Sequence, residues 1–264
     1  MMKAVWVALV RLLALAVLAT FALQLYFAAR VALMAVIDPQ STSFQRSEAW
    51  RLLTERHQIL WHQEWVGYAH ISVNLKRAVI ASEDASFVEH SGVEWEAVEK
   101  AWERNQKAEA RVERLNEQLQ RRAQKSASAR PAPVRPAARA LPKLVGGSTI
   151  TQQLAKNLFL AGERNLPRKA QEFAITLMLE SLLSKQRILE IYLNNVEWGE
   201  GLFGAEAAAR HYFHVPAQAL GTMQAAQLAV MLPAPKRFEK RPGSAYVAGR
   251  AGTVAARMGA VEPP

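Results

Sequence analysis

Gly146-Gly147-Ser148-Thr149-Ile150-Thr151-Gln152-Gln153-Leu154-Ala155-Lys156-Asn157 is the stretch from which the rest of the chain can be read. Its two glycines allow a tight turn, and Ser148 or Thr149 can cap the helix predicted to follow. The first-turn N–H groups of such a helix offer a cradle for phosphate. Thr149, Gln153, Lys156 and Asn157 fall at i, i+4, i+7 and i+8, which predicts one polar face with a cation on it. No Gly-Lys-Ser/Thr follows the glycines at the spacing of a nucleotide loop, so this is not a Walker motif. Taken alone, the stretch fits a capped helix with a solvated polar face equally well.

Upstream stands Glu83-Asp84-Ala85-Ser86-Phe87-Val88-Glu89-His90-Ser91-Gly92, directly after an apolar run from Ile71 to Ala81. If the segment is helical, Glu83, Phe87 and His90 share one face. A carboxylate at the end of an apolar run, beside an aromatic ring, sits where desolvation lifts a pKa toward that of a working base. The plainer reading is a surface acidic pair beginning a helix.

Downstream, Arg168-Lys169-Ala170-Gln171-Glu172 places Arg168 and Glu172 at i and i+4, in the simplest case a surface ion pair of little energetic weight. The residues beyond, Phe173, Ile175, Leu177, Met178, Leu179, Leu182 and Leu183, are apolar around much of a helix, which predicts a buried helix with Glu172 turned into a cleft. Lys185–Asn194 comes next with a core face of Ile188, Leu189, Tyr192 and Leu193, and its paired asparagines and Gly199 and Gly201 mark a helix end and a turn. Further helical patterns cover Ser148–Leu160, Gly204–Phe213 and Met223–Met231. Strand signals are scarce, so the fold class is mainly α.

The chain of 264 residues has room for one membrane anchor and one compact domain. A net charge of +10 points to an anionic partner, and the absence of cysteine excludes disulfides, thiolate metal sites and a cysteine nucleophile. Leu12 to Ala29 is almost wholly apolar, with Gln24 the main interruption, and the run extends weakly to Ile37. That is long enough to span a bilayer, and no small-x-small cleavage site follows Phe27. Lys3 and Arg11 precede it, which predicts a cytoplasmic N-terminus. The expected organisation is an anchor over 1–37, a juxtamembrane segment over 38–64, a compact domain over 65–245 and a tail over 246–264. Trp50, Leu53, Trp61 and Trp65 supply amphipathic material after the anchor. Val98–Gln124 reads as a solvated, charge-alternating helix. Within 104–143, the Lys125–Lys143 stretch carries Pro131, Pro133, Pro136 and Pro142 among Ala, Arg and Ser, which predicts a flexible basic insertion without regular helix.

Glu83–Gly92, Gly146–Asn157, Arg168–Glu180 and Lys185–Gly199, in that order, resemble the successive motifs of bacterial peptidoglycan glycosyltransferases (glycosyltransferase family 51) from about Trp65 to Phe238. The stretches Gly204–Phe213 and Ala226–Pro235 match as well. The resemblance implies a lysozyme-like α domain with a smaller membrane-associated lobe. It implies transfer of a growing glycan from polyprenyl diphosphate to the 4-hydroxyl of lipid II, with inversion. Glu83 would be the general base and Glu172 the second catalytic carboxylate, while Asp84, Phe87, His90, Thr149, Gln153, Lys156, Asn157 and Arg168 would line the donor and acceptor sites. Mg²⁺ or Mn²⁺ is expected to stimulate partially; Glu172 beside the substrate diphosphate would fit such an ion, whereas Lys156 and Arg168 could do the same job unaided. Expected partners are lipid II, the growing glycan, membrane lipid and other wall-synthesis or cell-division proteins, with no nucleic acid. No Ser-x-x-Lys or Lys-Thr-Gly signature is found, so the stand-alone form at the inner membrane, with a periplasmic domain, is expected. Glu94 stands where the family usually has aspartate. The rival readings are a lytic transglycosylase or muramidase, which needs no cationic diphosphate face, and a membrane-tethered scaffold for anionic polymers.

Overall fold

The computed structural model describes residues 2–129, 147–160, 162 and 165–264. In chain order the elements are α1 (Met2–Leu33), α2 (Ser43–Arg51), β1 (His62–Gln63), α3 (Val73–Glu83), α4 (Trp95–Ala129), α5 (Ile150–Phe159), α6 (Leu166–Leu182), α7 (Lys185–Asn195), β2 (Glu197–Gly199), β3 (Leu202–Phe203), α8 (Ala205–Phe213), α9 (Thr222–Met231), α10 (Pro235–Phe238) and α11 (Ala245–Arg257). The chain divides into two compact units, one formed by Met1–Gly92 with Thr149–Pro264, the other by Val93–Ser148.

The larger unit is built around small, tightly approaching helices. In α9, Ala225, Ala226, Leu228, Ala229 and Met231 are fully buried, and the alanines let α3 and α11 pack closely on it. In α7, Ile188, Leu189, Ile191, Tyr192 and Leu193 are all buried, so this helix runs through the core. Its C-terminal Asn194 clamps the chain before α3: Oδ1 accepts from Val66 N at 2.9 Å and Nδ2 donates to Val66 O at 2.9 Å. The strands are short, ordered β1-β3-β2, with β1 parallel and β2 antiparallel to β3. Gly201 turns between β2 and β3 at φ +70, and any Cβ there would lie 1.9 Å from Leu60 O, so only glycine fits.

The predicted core helices are present, with boundaries shifted by one or two residues. Several expectations need correction. The first helix runs from Met2 to Leu33, within the expected anchor of 1–37, and residues Val5–Leu33 are long and apolar enough to cross a membrane. Its last turns are part of the domain core: Phe27 and Val31, with Met34 just past the helix, are buried, and Gln24 exchanges hydrogen bonds of 2.8 and 3.0 Å with Gln171 of α6. The polar interruption in the apolar run therefore has a partner.

Residues 38–64 are not a separate juxtamembrane segment, because α2 packs against α5 and β1 pairs with β3. Trp61 stacks on Phe203 with centroids 4.5 Å apart, whereas Trp50 and Leu53 stay exposed. Residues 246–264 are not a tail: Val247, Ala251 and Val254 of α11 are buried in the core. Helix α6 is not buried all round, since Ile175 and Leu179 face the core while Phe173, Leu177 and Leu182 are exposed.

The smaller unit is dominated by α4, which is helical as expected over Val98–Gln124 and continues through Lys125 to Ala129. The expectation of no regular helix thus fails for Lys125–Ala129. Alanine favours helix there, the first proline comes only at Pro131, and earlier in α4 exposed i,i+4 pairs such as Lys100–Glu96 at 3.0 Å and Lys107–Glu103 at 3.5 Å suit the helical spacing. The proline-rich part of the predicted insertion lies outside the described residues.

Candidate active site

Helix α3 ends at Glu83, and the chain then leaves the helix: Asp84 has φ −162 and ψ 74. Glu83, Phe87 and His90 therefore do not share a helical face as predicted. Instead, residues 84–92 form a compact turn held by side chains. Asp84, fully buried, accepts from Ile150 N at 3.0 Å through Oδ2 and meets His90 Nε2 at 2.8 Å through Oδ1. Gly92 N donates to His90 Nδ1 at 3.0 Å, so the ring proton sits on Nε2 and is given to Asp84. Phe87 is wholly buried, with Lys185 Nζ 4.5 Å over its ring, and Lys185 donates to His90 O at 2.6 Å and Glu180 at 2.9 Å.

Thr149 is the N-cap of α5 and is buried. Its hydroxyl accepts from Gln152 N at 3.2 Å, completing a capping box with Gln152, and donates to Gly92 O at 2.7 Å. The expected phosphate cradle is thus already filled, because the carboxylate of Asp84 accepts the N–H of Ile150. A buried anion there suits the positive end of the helix. Asp84, Phe87, His90 and Thr149, expected to line the substrate sites, form here a frame that fixes Glu83 beside α5.

Gln153 carries that frame to open space. Tyr192 Oη donates to Gln153 Oε1 at 2.9 Å, which turns the amide so that Nε2 donates to Glu83 Oε2 at 2.8 Å. Glu83 Oε1 is left to meet a proton. Burial pushes the Glu83 carboxyl above its ordinary value, the neighbouring Asp84 charge adds to this, and the Gln153 hydrogen bond opposes it. The phenol of Tyr192, fully enclosed and facing both carboxylates, is pushed well up and stays a donor.

Gln153 also lines a cleft of about 420 Å³. Its other walls are Phe44 and Ser47 of α2, Lys156 and Asn157 of α5, Arg168 of α6, Val196 and Glu197 at the start of β2, and the Leu232-Pro233 turn after α9. The structure so brings together Gln153, Lys156, Asn157 and Arg168 as predicted, with Glu83 one hydrogen bond behind Gln153. Glu172 is buried and does not line the cleft. Its Oε2 pairs with Arg168 Nη1 at 3.2 Å and its Oε1 with Lys169 Nζ at 2.5 Å. Both carboxylate oxygens are therefore ion-paired, one to Arg168 and one to Lys169.

Sequence reasoning missed Glu197, a lone carboxylate in the aromatic and apolar run Val196-Glu197-Trp198. Its charge, set at the end of a predicted core helix, was the available signal, since buried charges demand a reason.

The geometry is that of a cleft with two cations and a desolvated carboxylate held at its edge, suited to departure of an anionic group and removal of a proton. A sequence model of the family described as Transglycosylase matches residues 31–128 and 134–259. The biosynthetic peptidoglycan transglycosylase of Burkholderia thailandensis is 48% identical over 246 residues, 93% of this chain and 84% of the relative. That of Paraburkholderia phytofirmans is 47% identical over 251 residues, 95% of this chain and 91% of the relative. With so much of the chain matched, in the order in which its motifs build the cleft, the chain belongs to the transglycosylase family.

Proposed function

We propose that this chain polymerises lipid II into glycan strands at the bacterial inner membrane. It is a peptidoglycan glycosyltransferase, and the observation that supports its mechanism best is Gln153, which lines the cationic cleft and holds the desolvated Glu83 at once. Glu83 takes the proton of the acceptor 4-hydroxyl as the new C–O bond forms at the anomeric carbon. The bond to the polyprenyl diphosphate breaks with inversion, and Lys156 and Arg168 take up the charge of the departing diphosphate. Purified protein in detergent should convert lipid II to polymer, and a moenomycin-type competitor should block it. Cleavage of preformed glycan without synthesis would overturn the reading.

Glu172 acts in this scheme through Arg168, which it aims toward the cleft. Glu172→Gln should lower turnover by about 10²-fold, the scale of an ångström-sized misplacement of a site group. Arg168→Ala should lose a similar factor, and the double variant little more than either single one. Additive losses would separate the two residues. Mg²⁺ or Mn²⁺ is expected to stimulate only partially, because Lys156 and Arg168 already supply positive charge for the diphosphate, and a bound ion would add to that charge. Polymerisation abolished by excess chelator would assign the ion an obligatory place.

The apolar run of α1 that follows Arg11 is the anchor, with Lys3 and Arg11 on the cytoplasmic side and the domain in the periplasm. The exposed Phe173, Leu177 and Leu182 of α6, the helix that packs on α1, suit contact with lipid. A reporter fused after Pro264 should be active only in the periplasm, and cytoplasmic activity would reverse the topology.

A further inference from the structure

Glu197 is 7% exposed, lines the cleft, and its Oε1 is buried without a hydrogen-bond partner. Lys236 Nζ stands 3.4 Å from that oxygen as its ion-pair partner and is held more closely by Glu48 Oε1 at 2.6 Å. The groups facing Glu197 are thus Lys236 and Glu239 from the α10 end and Glu48 from α2. A carboxylate this buried, with one cation at 3.4 Å beside it, is costly to hold, and this carboxylate lines the cleft. The charges of that cleft come from different elements: Lys156 from α5 and Arg168 from α6 are cationic, Glu197 from β2 is acidic. A diphosphate is drawn to the cations and repelled by the carboxylate. What meets Glu197 must be a neutral part of the substrate bearing O–H or N–H donors.

We propose that Glu197 is the residue by which this cleft reads carbohydrate, accepting a hydrogen bond from a hydroxyl or acetamido N–H of the sugar next to the diphosphate. The inference rests on the glycosyltransferase reading and adds to it a specificity residue. Burial, with Glu48 and Glu239 nearby and only Lys236 opposing, raises the Glu197 carboxyl to about 7, so the acceptor is at full strength on the alkaline side of neutrality.

The test is steady-state polymerisation of lipid II above pH 8 by wild type, Glu197→Gln, Glu197→Ala and Lys236→Gln, with melting temperatures measured alongside. Glu197→Ala should raise KM about ten- to a hundredfold, as expected for a lost hydrogen bond to a charged group, with kcat little changed. Glu197→Gln, which keeps a carbonyl acceptor and the side-chain volume, should fall between. Lys236→Gln should lower the melting temperature and leave KM near wild type. Polyprenyl diphosphate, which lacks sugar, should bind wild type and Glu197→Ala alike. An unchanged KM in both Glu197 variants overturns the inference. So does a Lys236→Gln variant that reproduces their KM rise, or equal weakening of the sugar-free diphosphate. A wild-type protein that makes no polymer would instead overturn the glycosyltransferase reading itself.

Discussion

Glu83→Gln is expected to remove nearly all polymerisation while lipid II still binds. The substitution keeps size and can still accept from Gln153 Nε2, which holds Glu83 Oε2 at 2.8 Å. What it cannot do is take a proton, and general-base catalysis is commonly worth about 10²–10⁴-fold. The burial that lifts the Glu83 carboxyl also fixes the pH behaviour. The base works only when ionised, so the rate should fall as pH drops through its raised folded-state value, and Glu83→Gln should lose that acidic limb. Stability runs the other way. With the folded value above the unfolded one, the folded state binds more protons between them, and stability falls as pH rises through that window. The variant should therefore gain stability relative to wild type toward alkaline pH while it loses activity. Turnover near the wild-type rate would take the base role from Glu83.

Much of this site is legible in the sequence because it lies in helices with period and caps. The helix after the glycine pair, the cation on it at Lys156, and the Arg168–Glu172 pair all follow from i,i+4 spacing and from Thr149 as a cap. The raised carboxylate at Glu83 follows from the apolar run before it. The misreadings share a physical cause: they concern where side chains go once the chain leaves a helix. A period of 3.6 carried past Glu83 puts Phe87 and His90 on a face that does not exist, because Asp84 ends the helix. The free N–H groups of α5 suggest a phosphate site, since nothing local shows that a carboxylate some 66 residues away in sequence fills them. Glu197 is hidden for the same reason. Its environment is assembled from α2, α10 and the cleft, none of them neighbours in sequence. Long-range packing, rather than local propensity, decides which polar groups face a ligand and which are framework.

That distinction makes Asp84 the sharpest case. By resemblance it lines the substrate site; by geometry it is a buried acceptor shared by Ile150 N–H and His90 Nε2–H. Asp84→Ala leaves both donors without a partner in a dry interior, at about 1–3 kcal/mol each. For a chain of this size that corresponds to a fall in melting temperature on the order of 10 °C. Asp84→Asn should not rescue it fully. Its one amide oxygen can serve Ile150 or His90, and its NH₂ then faces the other donor. His90 cannot escape by changing tautomer, because Nδ1 would then turn a proton toward the Gly92 N–H it now accepts from. Activity should drop along with stability, since the same carboxylate holds α5, and with it Gln153, against Glu83. Removing the Asp84 charge should also relax its upward push on the Glu83 carboxyl, moving the acidic limb of the residual rate to lower pH. Thermal melts with the rate–pH profile of the two variants decide the matter. A large rise in KM at an unchanged melting temperature, with the acidic limb unmoved, would return Asp84 to the substrate and remove it from the frame.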